Sequence, residues 1–224
     1  MTDPVLLLGG AGLPGWIWDG VRAELPVESV VVRYPTAAGA SLREYAEAAL
    51  AQAPARRFAV VAHSIGGVVA SEMAAIAPDR LTALLAVSAS IPAPGGSFLR
   101  ALPFPQRYLA DLIMRVAGTR PPANAIRSGL GTGLSEADIT RLIDEFAPES
   151  QRLYRDRVSE RVLPAARGYL TTLNDREFSV AAQRRYRAVL DPGLHREIPT
   201  GHLPMLQDPV LLARTIEEFL TMCR

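Results

Sequence analysis

The chain has 224 residues, a formal net charge of +1 and no lysine, because all 24 of its basic residues are arginine. A hydrophobic fraction of 49% with 21% charged residues is typical of a globular protein, and this length suits one domain with a substantial core. The balanced charge favours neither a nucleic-acid partner nor an anionic membrane. The absence of lysine excludes Schiff-base chemistry, a Walker phosphate loop and a serine–lysine dyad.

The termini and the lone cysteine bear on localisation. Residues 1–4 lack the basic and apolar regions of a signal peptide, and no apolar run approaches the roughly 20 residues of a membrane span. Cys223 cannot form an internal disulfide, and no histidine or aspartate lies near it in the sequence. We therefore expect a cytoplasmic protein that does not associate with membranes.

Strand and helix patterns alternate in the first part of the chain. Apolar runs predict strands at residues 5–8, 30–32, 58–62 and 81–88. Ser41 and Glu44 form a capping box at the start of one intervening helix, and another helix begins near Gly66. This alternation predicts an α/β fold with a mainly parallel sheet flanked by helices.

The alternation stops between residues 93 and 163, where helical patterns replace it. Two apolar stripes at helical spacing predict packing faces: Leu109, Leu112, Ile113 and Val116, and then Ile139, Leu142, Ile143 and Phe146. A helical insertion after the carboxyl end of a strand is expected to cover a ligand site as a cap. We expect a core formed by residues 1–92 and 164–224, with a cap at 93–163, in one domain overall.

Ser64 lies at the junction of a predicted strand and a predicted helix, in the sequence Ala62-His63-Ser64-Ile65-Gly66-Gly67. A serine on such a sharp turn is the nucleophile elbow of serine hydrolases, whose usual pattern is G-x-S-x-G. Here alanine replaces the first glycine, which adds only one methyl group. The alternative is an ordinary serine at a helix start.

The sequence again predicts strands at residues 168–173 and 195–198, and a candidate catalytic residue follows each of them. Asp175 follows the first run and His202 the second. Because the carboxyl ends of parallel strands meet at one edge of a sheet, we expect both side chains near Ser64. A serine nucleophile needs a base to accept its proton, and that base needs a carboxylate to orient it. The chain order Ser, Asp, His is that of α/β-hydrolases.

Other residues compete for two of these roles. His202 is favoured as the base because His63 is expected to point to the opposite side of the chain from Ser64, and His195 lies in or before a strand. Asp175 is favoured as the acid, with Glu177 as the runner-up. Asp191 and Asp208 are better explained as a turn residue and a helix-cap residue, respectively, than as the acid.

The glycine-rich turn after the first strand allows a different function. Gly10, Gly12 and Gly15 fit the dinucleotide pattern G-x-G-x-x-G. That pattern also requires an acidic residue at the end of the next strand, where this chain has Arg33. An arginine there could bind a 2′-phosphate, so nucleotide binding stays open as an alternative.

Taken together, these motifs resemble the α/β-hydrolase superfamily, in particular its small capped branch of plant methylesterases, hydroxynitrile lyases and related bacterial esterases. The resemblance covers nearly the whole chain outside the cap. It is carried by Gly9-Gly10-Ala11, Trp16-x-Trp18, the Ser64 motif, Leu173-Asn174-Asp175 and Gly201-His202-Leu203-Pro204-Met205-Leu206. It implies an α/β-hydrolase fold, and it explains the glycine spacing without a nucleotide.

The resemblance also implies site residues. The backbone N–H groups of Ala11 and Ile65 are expected to form an oxyanion hole, and Gly10, Gly12 and Leu203 are expected to contact the substrate. Gly9 stands where the family usually has histidine. Lyases of this branch have lysine where this chain has Leu203, and dehalogenases have aspartate at the nucleophile position, so neither activity is expected.

The expected function is therefore cofactor-independent and metal-free hydrolysis of a small, largely apolar ester, thioester or lactone. One alternative uses the same site for acyl transfer, cyclisation or elimination. The other is a non-catalytic ligand receptor on the same fold.

Overall fold

The computed structural model describes residues 3–223, which form one six-stranded sheet covered by helices. All neighbouring strands are parallel, in the order β2-β1-β3-β4-β5-β6. The strands are β1 (Val5–Leu8), β2 (Ser29–Val31), β3 (Phe58–His63), β4 (Leu81–Val87), β5 (Ala166–Thr172) and β6 (Leu194–Ile198). The predicted α/β class is confirmed.

The helices fall into two groups by their position in the chain. Those that alternate with the strands are α1 (Asp19–Glu24), α2 (Leu42–Ala51), α3 (Gly66–Ile76), α9 (Val180–Leu190), α10 (Pro204–Gln207) and α11 (Pro209–Met222). Those between β4 and β5 are α4 (Phe98–Ala101), α5 (Gln106–Ala117), α6 (Ala123–Ser128), α7 (Glu136–Glu145) and α8 (Gln151–Arg155). Within residues 3–223, none of the helices is both long and apolar enough to cross a membrane.

The sheet separates two layers of hydrophobic core. Leu6 and Leu8 of β1 face one layer, together with side chains of α2, α3 and α9. Val5 and Leu7 face the other layer, together with side chains of α1, α7 and α11. Successive side chains of a strand point to opposite faces. A strand that is buried on both faces must therefore be apolar throughout, which explains the continuous apolar runs in the sequence.

The predicted helix starts are present in the structure. Ser41 accepts a hydrogen bond from the Glu44 backbone, and the Glu44 carboxylate accepts one from the Ser41 backbone at 2.8 Å. The Asp208 side chain caps α11 by accepting a hydrogen bond from the Leu211 backbone at 2.9 Å. Strand ends differ slightly from the prediction, since β5 begins at Ala166 and β3 extends to His63.

The two apolar stripes of the inserted helices have opposite outcomes. Ile139, Leu142 and Phe146 are buried, as predicted for a packing face. Leu109, Leu112, Ile113 and Val116 are all more than half exposed, so the packing prediction for this stripe is wrong. The helix itself forms, but its apolar face has no partner among the described residues. The division into core and cap stays a prediction.

Candidate active site

Ser64 lies on a tight turn between β3 and α3. Its φ angle of 55° is in the left-handed region, which is strained for a serine and characteristic of functional turns. The turn requires small neighbours: a Cβ atom on Gly66 would lie 2.9 Å from the Gly9 carbonyl oxygen, and one on Gly67 would lie 2.5 Å from that of Ser90. This close crossing holds the Ser64 side chain at the carboxyl edge of the sheet.

The three residues predicted to act together are in hydrogen-bond contact. His202 Nε2 lies 3.0 Å from Ser64 Oγ, and His202 Nδ1 lies 2.8 Å from Asp175 Oδ2. An ionised carboxylate only accepts hydrogen bonds, so Nδ1 carries a proton and Nε2 of the neutral ring can accept the serine proton. The side chains of His202 and Asp175 are almost completely buried. The arrangement has the geometry of a nucleophile, a base and an orienting acid.

Asp175 is held in its charged form by several donors. Thr172 Oγ1 and the Ser88 hydroxyl donate to Oδ2, and the backbone amides of Glu177 and Phe178 donate to Oδ1 at 2.8 Å. Burial by itself would raise the pKa of Asp175. The electrostatic interaction and hydrogen bond with His202, together with the bonds from Ser88 and Phe178, outweigh burial and hold the pKa of Asp175 far below its ordinary value. Asp175 therefore remains ionised.

Ser88 is a site residue that the sequence argument missed. It follows β4 with a φ angle of 42°, and its hydroxyl donates to Asp175 and lies 3.5 Å from His202 Nδ1. A signal was present, because Ser88 is a polar residue at the carboxyl end of the strand beside β5. The predicted runner-up acid, Glu177, has no hydrogen bond to His202 among the described residues; its backbone serves Asp175 instead.

The other two histidines have separate surroundings. The His63 ring does not point away from the site as expected: it lies 4.7 Å from the His202 ring, and its Nε2 donates to the His202 carbonyl oxygen at 2.8 Å. Burial lowers the pKa of His63 to about 3, and the neighbouring His202 adds to this shift. The His63 ring is therefore neutral, and its hydrogen bond holds the backbone of His202 in place. His195 contacts Thr171 and Arg187, away from Ser64.

Two backbone amides border the same space as Ser64. Ala11 and Ile65 both line the cavity that contains Ser64 and His202. Neither amide donates a hydrogen bond to any atom within residues 3–223. Unpaired N–H donors beside a serine hydroxyl are the arrangement that an oxyanion hole requires.

The glycine turn that contains Ala11 is held in place by hydrogen bonds with residues 147–149, which precede α8. The Gly12 amide donates to Glu149 Oε1 at 3.0 Å, and the Gly12 carbonyl accepts from the Ala147 amide at 3.1 Å. Gly12 has a φ angle of 69°, and a Cβ atom there would overlap the Phe146 ring, so only glycine fits. Burial raises the pKa of Glu149, although the bonds from Tyr45 and Gly12 oppose this shift. The sequence offered no signal for this contact, which spans 137 positions.

The cavity above Ser64 has a volume of about 520 Å³ and a mostly apolar lining. Its walls come from the glycine turn, the inserted helices and the segment after β5. The large apolar side chains in this lining are Leu13, Ile65, Phe98, Ile113, Met114, Ile126, Leu130, Phe146 and Phe178. A cavity of this size suits a small organic molecule.

The three residues expected to contact substrate do not line this cavity. A Cβ atom on Gly10 would lie 3.1 Å from both His63 Nδ1 and Ser64 Cβ, so Gly10 allows the turn to pack against the elbow. Gly12 borders a different cavity. Leu203 is fully buried in the core layer that contains α11. In this structure Gly10 and Gly12 shape the turn and Leu203 packs in the core, so a contact of these residues with substrate stays a prediction.

A larger cavity of about 860 Å³ lies beside β2, where a dinucleotide would bind, and Gly12, Gly15 and Arg33 line it. The Gly12 amide, which a phosphate would need, is already bonded to the Glu149 carboxylate. A fixed carboxylate at this point repels phosphate, so the geometry opposes the nucleotide alternative. Within residues 3–223, no group of three or more His, Cys, Asp or Glu residues is placed to hold a metal ion.

A comparison with known protein families assigns the chain to one of them. A family model described as the α/β hydrolase family matches residues 5–215. The chain therefore belongs to the α/β hydrolase family. Curated proteins yield no significant match.

Solved structures show the same fold over nearly the whole chain. An extracellular α/β-hydrolase from a Paenibacillus species, described as homologous to tobacco salicylic acid binding protein 2, has a TM-score of 0.82 and 16% identity, covering 96% of this chain and 98% of its own. A methylesterase from Arabidopsis has a TM-score of 0.77 and 17% identity, covering 98% and 99%. A pyrethroid hydrolase has a TM-score of 0.78 and 21% identity, covering 98% of each chain. At these identities the likeness concerns the fold.

Proposed function

We propose that this protein is a serine hydrolase that cleaves a carboxylic ester, thioester or lactone of a small, largely apolar compound. The observation that carries the proposal is the hydrogen-bonded series from Ser64 through His202 to Asp175 beneath an apolar cavity. The esterase and hydrolase names of similar structures support it at the level of the family. No step of this reaction needs a cofactor.

The reaction begins with proton transfer from Ser64 Oγ to His202 Nε2 as Oγ attacks the substrate carbonyl carbon. Asp175 stabilises the resulting imidazolium, and the Ala11 and Ile65 amides donate to the developing oxyanion. His202 then gives its proton to the leaving alcohol or thiol, which departs and leaves an acyl group on Ser64. A water molecule, deprotonated by His202, attacks the acyl carbon and releases the acid.

The test is hydrolysis of p-nitrophenyl and methyl esters of graded chain length by the purified protein and by Ser64→Ala. We expect the variant to lose activity by a factor on the order of 10⁴ or more, because the nucleophile is removed. A matched control is Ser71→Ala, which removes a hydroxyl on α3, the helix that follows Ser64, where Ser71 donates to the Gly67 carbonyl oxygen. A fluorophosphonate probe should label the wild type and Ser71→Ala but not Ser64→Ala.

The outcomes separate the alternative functions. Labelling at Ser64 without release of free acid from any ester would favour acyl transfer or cyclisation. Failure to label Ser64 would contradict the nucleophilic mechanism and favour a ligand receptor.

A further inference from the structure

The helix α5 presents its apolar side to solvent. A surface helix normally turns its apolar stripe toward the core and its polar side outward. In α5 no residue is buried. The exposed apolar residues of α5 and the turn before it are Phe104 (74%), Tyr108 (59%), Leu109 (60%), Leu112 (58%), Ile113 (52%) and Val116 (81%). We call this set the α5 patch.

Polar contacts hold α5 in this orientation. Asp111 accepts hydrogen bonds from Arg155 of α8 at 2.6 Å and from Arg115 at 2.9 Å. Gln151 at the start of α8 donates to the Met114 carbonyl oxygen at 2.7 Å. The side of the helix that faces the protein body therefore carries Asp111 together with Ala110 and Met114, which pack against the core, and the α5 patch is turned outward.

The size of the α5 patch requires an explanation. Monomeric proteins rarely expose contiguous apolar patches larger than roughly a few hundred Å², and larger ones mark interaction sites. Six large apolar residues, each more than half exposed on one helix and its approach, form a patch of that order.

The α5 patch is continuous with the wall of the cavity above Ser64. Ile113 belongs to both surfaces, and Ala110, Met114 and Ala117 on the adjoining side of the helix line the cavity. An apolar phase that covers the patch would therefore lie directly beside the space that holds Ser64.

The charges around the α5 patch decide which partner it fits. Residues 97–122 contain four arginines and one acidic residue, Asp111, although the whole chain has a net charge of only +1. In a symmetric contact with a second copy, two such arginine-rich segments would meet, and like charges in contact are unfavourable. Anionic lipid headgroups complement arginines that flank an apolar helix face. Arginine side chains can also extend along apolar surface while their charged ends reach the headgroups.

We propose that the α5 patch docks onto bilayers that contain anionic lipids and so places the cavity above Ser64 against the lipid surface. Apolar side chains enter the interface, and the flanking arginines contact the headgroups. Whole-chain charge predicted no such association, because the acidic residues that balance these arginines lie elsewhere in the chain. Docking does not depend on the proposed hydrolysis, so it can be tested in a protein without the nucleophile.

The test uses flotation of full-length Ser64→Ala protein with phosphatidylcholine vesicles and with vesicles that also contain phosphatidylglycerol. We expect preferential binding to the anionic vesicles, with weaker binding as salt rises. Adding Leu112→Glu and Val116→Glu, which do not line the cavity, should lower anionic-vesicle binding about tenfold or more. Val189→Glu, at an apolar position of α9 that is 40% exposed, is the matched control and should bind like the parent.

Three outcomes would overturn the proposal. One is equal binding, or no binding, to the two vesicle types by correctly folded Ser64→Ala protein. The second is unchanged binding after the two α5 substitutions. The third is a dimer in solution that these substitutions dissociate, which would assign the patch to a second copy. With the nucleophile intact, Leu112→Glu and Val116→Glu should leave hydrolysis of a soluble short-chain ester unchanged, which separates docking from catalysis.

Discussion

The helices α3 and α5 have similar lengths, 11 and 12 residues, yet their surroundings are opposite. The helix α5 lines the cavity above Ser64, and α3 begins directly after Ser64 and Ile65, which line the same cavity. Nine consecutive residues of α3, from Gly66 to Ala74, are buried, while α5 buries none. A helix that is apolar all round is stable only inside a protein. In α5 the side with Asp111, Ala110 and Met114 is held against the protein by the bond from Arg155 and by packing, while the larger apolar side chains face solvent.

The two helices therefore contribute to the site in different ways. The elbow before α3 holds Ser64 by close backbone contacts that a single extra methyl group would disturb. The helix α5 is held by a few polar bonds and by the packing of Ala110 and Met114, and the outward side chains of the α5 patch are free to contact other molecules. We expect changes on the α3 side to affect reaction rate and stability, and changes on the α5 side to affect binding.

The largest expected effect concerns the acid that orients His202. Asp175→Asn should lower the turnover number by about 10⁴-fold, because an amide favours the wrong tautomer of the base. On the α5 side, Met114 lines the cavity, so Met114→Ala should alter the preferred ester chain length and change kcat/KM by roughly tenfold. Steady-state kinetics on graded esters measure both. Glu177→Gln is the control for Asp175, and a loss as large as that of Asp175→Asn would contradict the assignment.

The next largest expected effect is a difference in the free energy of unfolding between substitutions in α3 and substitutions in α5. Met73 on α3 is fully buried, so Met73→Ala should lower the free energy of unfolding by about 2–5 kcal/mol. Leu112 on α5 is 58% exposed, so Leu112→Ala should change it by no more than about 0.5 kcal/mol. Urea denaturation of both variants measures the difference. Equal losses would mean that α5 is packed against a part of the protein in solution.

The smallest expected effect is a pH dependence of stability, to which His63 contributes. His63, at the end of β3, has a pKa lowered to about 3 in the folded protein, against about 6.5 for an unperturbed histidine. Between these values the unfolded chain binds the proton and the folded protein does not, so stability falls as pH falls below about 6.5. The expected slope is about 1.4 kcal/mol per pH unit.

Urea denaturation at several pH values from 7 to 5 should show this slope in the wild type and a reduced slope in His63→Gln. The α5 helix carries no histidine and should contribute nothing over this range. An unchanged slope in the variant would show that His63 titrates normally in the folded protein.

The sequence located Ser64, Asp175 and His202 because each follows a predicted strand, and parallel strands bring their carboxyl ends to one edge. Ser88 follows a strand too, but a lone serine in that place carries no distinctive pattern. Glu149 had no local signal at all, because its contact with Gly12 joins distant parts of the chain. The sequence did not predict which residues line the cavity, because neighbours in sequence need not share a surface: Ala11 and Leu13 line it, and Gly10 and Gly12 do not.

By itself, the sequence determined the α/β fold, the helix caps and the order of the catalytic candidates, because hydrophobic periodicity and turn residues act over a few positions. Tertiary structure alone decided which way a side chain faces. The stripe from Leu109 to Val116 and the stripe from Ile139 to Phe146 have the same helical spacing, yet only the second is buried. Spacing fixes which residues share a face of a helix. Whether that face meets the core depends on contacts such as Asp111 with Arg155, made between elements far apart in the chain.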